Sequence, residues 1–113
     1  MDELIAKLEA AAEGSRELDR EISVTVFSPD SKEAHSVGFY TELIDAALTL
    51  VPEGYDWELT SFPTVRAELW QREDDRRDGP QIASSPALAL CIAALKARYR
   101  WIISRGGFRS SVR

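Results

Sequence analysis

The chain is poor in the side chains that build most reactive centres: its 113 residues include one cysteine and one histidine. A single cysteine cannot close an internal disulfide, and one cysteine with one histidine cannot supply the ligands of an ordinary zinc site. Disulfide scaffolds and most zinc enzymes are therefore excluded. No apolar run approaches the roughly 18 residues of a membrane span, and Met1-Asp2-Glu3-Leu4 is acidic where a secretory leader is basic. We therefore expect a cytoplasmic protein without a membrane partner, and an unpaired Cys91 suits a reducing compartment. A phosphate-binding glycine motif is missing too, because Gly106-Gly107 follows an expected helix instead of joining a strand to one.

What is present reads as one small globular domain. Hydrophobic residues at 44% and charged residues at 29% are ordinary for a folded chain. The net charge of -5 opposes nonspecific attraction of the whole molecule to nucleic acid or anionic lipid. That charge is unevenly placed. All nineteen acids lie within residues 1–80, whereas residues 81–113 carry six bases and no acid. The basic end could meet an acidic partner or a phosphate backbone, with Tyr99, Trp101 and Phe108 available for stacking. Equally, cations near a helix C-terminus stabilise its dipole and can pair with the acidic half across the fold.

Periodicity supplies the elements. Leu4, Ile5, Leu8, Ala11 and Ala12 recur at helical spacing after Asp2, and Gly14 offers a left-handed stop. Ser15 then reads as the N-cap of a second helix reaching about residue 22, while Ile22 to Phe27 also alternates like a strand and stays open between the two. Ser28 to Gly38 suits a surface loop. Thr41 is the expected cap of a third helix with Leu43, Ile44, Ala47, Leu48 and Val51 on its apolar face, ended by Pro52 and Gly54. Tyr55, Trp57 and Leu59, then Val65, Ala67 and Leu69, alternate with polar neighbours and predict an antiparallel hairpin. After the charged stretch Arg72 to Pro80, Ser84 or Ser85 caps a helix opening on Pro86, with Leu88, Cys91, Ile92, Leu95, Tyr99 and Ile102 on one stripe. Residues 1–103 thus form one domain, and 104–113 a flexible basic tail.

None of this assembles a reaction centre. Cys91 falls between Leu90 and Ile92 on the buried stripe, and His35 sits in a polar loop without a partner. Asp56 and Glu58 share a strand face, but so small a domain has little wall for a two-carboxylate cleft. Asp74 to Asp78 interposes two arginines and lacks calcium-loop spacing. We assign no catalytic, cofactor-binding or metal-ligating residue and expect no enzyme. Trp70 falls on the strand face opposite Trp57, beside Arg66 and Glu68, either as an exposed anchor or under a second helical layer. The candidate partner-binding residues are Trp70, Arg98, Arg100, Trp101, Arg105 and Arg109.

Several stretches together carry a resemblance: Leu4 to Ala11, Ser15 to Asp19, Tyr40-Thr41, Asp45 to Gly54, and Pro86 to Arg98. They resemble small phage and prophage proteins of alphaproteobacteria grouped as the phage ABA sandwich domain. The resemblance spans most of residues 4–98 and implies a small three-layer αβα sandwich. That agrees with an α+β domain of about four helices around a short antiparallel sheet. It implies no chemistry and no ligand residues, and Tyr99 to Arg113 departs from the pattern. The expected role is a non-enzymatic phage accessory protein, monomer or homodimer, that binds a host or phage protein, in its sharpest form an anti-defence (anti-CRISPR) inhibitor. The alternative is a nucleic-acid-binding module using the basic C-terminal helix and tail.

Overall fold

The computed structural model describes residues 2–73 and 79–105, with only the backbone of Glu33 and of residues 100–105. Among them the order is α1 (Asp2–Ala10), α2 (Arg16–Val26), α3 (Lys32–His35), α4 (Ile44–Leu48), β1 (Tyr55–Thr60), β2 (Arg66–Gln71), β3 (Gln81–Ile82) and α5 (Pro86–Arg105). The domain is α+β, as the alternating and helical periods require.

α5 is the hub. Ala87 to Leu95 are buried on every side, because the helix is covered by the sheet on one flank and by α1 and α4 elsewhere. Its run of alanines makes such close approach possible. Ser85 caps it, its Oγ accepting from the Leu88 amide at 3.3 Å, and Pro86 opens the first turn where no N–H is needed. Leu4, Ile5 and Leu8 of α1, Ile22 of α2 and Leu50 complete the same core.

Helix α2 settles the open stretch. Ser15 caps it through the Leu18 amide at 3.1 Å, and the helix runs through Val26. Ile22 and Ser23 are buried and Val26 is half-buried, while Val24 and Thr25 face outward, a helical distribution. The β-branched residues gain nothing from extension here, since no strand lies alongside to pair with them.

Two local expectations are corrected. Gly14 does not take a positive φ; among the described residues the glycines that do are Gly54 and Gly79. Gly14 is required for another reason, because a Cβ there would lie 2.3 Å from the Thr41 carbonyl oxygen. Thr41 does not cap the third helix, which begins at Ile44 behind Leu43 with no side-chain cap. That helix is only one turn and a half, and Leu43 and Ile44 stay exposed. Within the expected loop 28–38, Ser31 caps the single turn of α3 through the Ala34 amide at 3.3 Å.

The sheet has the order β1-β2-β3, both pairs antiparallel. The expected hairpin is present, and the two-residue β3 is an addition too short to leave a period in the sequence. Register places Tyr55, Trp57, Leu59, Ala67 and Leu69 on the face toward α5. The expected tail begins as helix, since α5 continues through Ser104 and Arg105, and 106–113 lie outside the described residues.

Candidate functional site

The opposite sheet face collects the polar half of the alternation. In register, Asp56 stands across from Trp70, Glu58 across from Glu68, and Thr60 across from Arg66, with Ile82 next to Arg66 on β3. No described helix packs against this face, because α5 covers the other one. Trp70 is half-buried there beside polar neighbours, so the second helical layer that would have hidden it is not among the described elements.

Like charges directly opposite on an antiparallel pair are unfavourable; Glu58 stands opposite Glu68 at the middle of the hairpin, with Arg66 on the same face. Toward its start, Arg72 anchors Asp56: Nε and Nη2 donate to Oδ1 at 3.1 and 2.9 Å. That pairing raises the Arg72 pKa, first through the hydrogen bond and then through the charge of Asp56. An open cleft of about 160 Å³ lies among Glu58, Thr60, Arg66, Glu68 and Pro80. It is well below the roughly 300–1,000 Å³ of pockets that engulf a small organic ligand. Among the described residues no group of three or more His, Cys, Asp or Glu is placed to hold a metal ion.

The basic end of α5 is partly committed to the fold. Lys96 reaches Gln81 Oε1 at 2.8 Å and Glu9 Oε2 at 3.1 Å, and Arg98 Nε donates to the Leu50 carbonyl at 2.7 Å. Burial lowers the Arg98 pKa. Of the candidate binding residues, Trp70 lies on the sheet face turned away from α5, which carries Arg98. Arg100, Trp101 and Arg105 fall on the last turns of α5, where the description is of backbone, and Arg109 lies outside the described residues.

Cys91 is buried, and its thiol donates to the Tyr40 carbonyl at 3.1 Å. Burial, and then the charge of Asp19, push its pKa up to about 12, which suppresses the thiolate a nucleophile needs. His35 is exposed on α3.

Among the described residues, sequence reasoning missed four exposed aromatics, including Phe39 and also Tyr99, which it placed on the apolar stripe of the last helix. Trp57 alternates with the core-facing residues yet is 44% exposed, because β1 is an edge strand and α5 packs mainly on β2. Phe62, in the turn between β1 and β2, is 84% exposed. No family model matches the chain, and comparison with curated proteins and with solved structures returns no match.

Proposed function

We propose that this chain is a small phage or prophage accessory protein that works in the bacterial cytoplasm by stoichiometric binding of a host or phage protein, without catalysis. Its sharpest form is an inhibitor of a host defence complex of the anti-CRISPR kind. The supporting observation is the outer sheet face, where Asp56, Glu58 and Glu68 lie around a half-buried tryptophan and outnumber Arg66 and Arg72. Such a surface is complementary to the basic grooves with which nucleic-acid-handling complexes hold a phosphate backbone, and occupying one needs no reactive group. Among the described residues no helix is long and apolar enough to cross a membrane, in keeping with that setting.

The test combines capture with inhibition. Tagged protein is used to recover partners from nuclease-treated host lysate, and recovered complexes are assayed for target binding with the protein in excess. A stoichiometric partner that survives nuclease and loses its target binding supports the reading. Recovery that vanishes with nuclease overturns it in favour of nucleic acid at the basic end of α5.

A further inference from the structure

Strand β1 is the edge of the sheet, and among the described residues nothing pairs with its outer side. Which backbone groups it offers follows from the ladder. The Arg72 amide donates to the Gly54 carbonyl at 2.9 Å, so even-numbered residues of β1 face β2. The Ala83 amide donates to the Val65 carbonyl at 3.3 Å, so odd-numbered residues of β2 face β3, which agrees with that phase. Trp57 and Leu59 therefore point their N–H and C=O groups outward, away from β2. The Tyr55 amide, by contrast, already donates to the Pro52 carbonyl at 3.3 Å.

The side chains along this edge alternate in chemistry. Trp57 and Leu59 lie on the apolar face, Asp56 and Glu58 on the outer face, and Phe62 stands out at the end of the strand. Arg72 already answers Asp56, whereas Glu58 forms no ion pair among the described residues. A second copy of the chain is a poor occupant. Antiparallel β1 with Trp57 opposite Trp57 or Leu59 sets Asp56 against Glu58, or Glu58 against Glu58, and like charges directly opposite are destabilising. A strand with a cation opposite Glu58 meets an unanswered carboxylate there, whereas beside Asp56 the Arg72 guanidinium is already in place.

From the free backbone groups and this alternation we infer that β1 takes up an extended segment of another protein as a fourth strand. The segment carries a basic residue over Glu58, within an alternation of polar and apolar positions, and apolar residues beside Trp57 and Leu59. Main-chain hydrogen bonds supply affinity and the alternating side chains supply selectivity. The inference rests on the protein-binding reading above and names the surface and the chemistry of its partner.

Two capped peptides of one composition provide the test, Thr-Lys-Val-Lys-Val-Lys-Thr and its isomer Thr-Lys-Lys-Lys-Val-Val-Thr, titrated to millimolar concentration into the full ¹⁵N-labelled chain. The alternating peptide is expected to slow solvent exchange of the Trp57 and Leu59 amides at least tenfold, and the isomer to leave them unchanged. Glu58→Lys, at an exposed position, is expected to weaken the alternating peptide about tenfold and to favour Thr-Glu-Val-Glu-Val-Glu-Thr instead. Equal effects of the two isomers, or no protection at Trp57 and Leu59, overturn the edge proposal. Leu59→Pro separates it from the broader reading, since proline is tolerated where the N–H of an edge strand faces outward. A captured partner that binds this variant as tightly as the parent removes the edge and leaves the protein-binding reading intact. Amide protection by the peptide with no captured partner does the reverse.

Discussion

Thr41 and Asp19 meet through a single oxygen. The Thr41 amide and hydroxyl both donate to Asp19 Oδ1, at 2.9 and 2.8 Å, across twenty-two residues of chain. The other carboxylate oxygen accepts from Arg16 Nη1 at 2.9 Å, and the Ser15 amide donates to Thr41 Oγ1 at 3.0 Å. Arg16 also donates to the carbonyls of Gly38 and Val37, each at 3.0 Å, and lies 3.8 Å over the Phe39 ring. The start of α2 is thereby fastened to the segment 37–41. Asp19 is fully buried, so the charge is tolerated because every donor around it is supplied.

Thr41→Val keeps the shape and removes the hydroxyl. We expect a loss of about 1–3 kcal/mol, since a buried carboxylate loses a donor and the Ser15 amide its acceptor. Asp19→Asn should lose a comparable amount, because its amide group would face the Arg16 guanidinium donor to donor. Urea unfolding of both variants checks this; unchanged midpoints would remove the network from the account of stability.

Gly14→Ala and Gly54→Ala should differ in cause and size. At Gly14 the added methyl meets backbone at 2.3 Å, which forces the Thr41 segment to move and costs about 3 kcal/mol. At Gly54 the space is open but φ is +90, so the cost is about 1 kcal/mol of backbone strain. Thermal unfolding of the pair tests the order.

Alkaline pH should weaken the fold through Cys91. Its folded pKa of about 12 exceeds the ordinary value near 9 that the unfolded chain shows. The folded state therefore favours the protonated thiol. That contribution is fully present below pH 9 and is lost between about 9 and 12, at up to about 1.4 kcal/mol per pH unit. Cys91→Ala should lose core packing at neutral pH and yet show a shallower alkaline decline. Stability difference against pH between the two proteins is the measurement, and parallel curves would contradict it.

Arg98→Ala should lower stability by about 1 kcal/mol or more, by leaving the Leu50 carbonyl without its donor. An effect of this variant on partner binding should therefore shrink when binding is compared at equal folded fraction. Circular dichroism during urea titration, alongside the binding assay, decides whether the residue acts through the fold.

Local chemistry alone determined much of this protein. Ser15 as a cap, Pro86 in the first turn, the hairpin of β1 and β2, and the burial of Leu88, Cys91, Ile92 and Leu95 in α5 follow from spacing and side-chain type over a few residues, while the choice of Ser85 over Ser84 and the exposure of Tyr99 do not. Tertiary structure decided what depends on neighbours remote in sequence. Ile22 to Val26 is helical because its inner residues reach the core and no strand lies beside it, a choice its ambiguous local pattern leaves open. Thr41 reads as a helix cap and instead serves Asp19, because a hydroxyl bonds whichever partner the fold delivers. Trp57 sits on the apolar register yet reaches solvent, since exposure is set by strand order and by where α5 lies, and alternation carries neither.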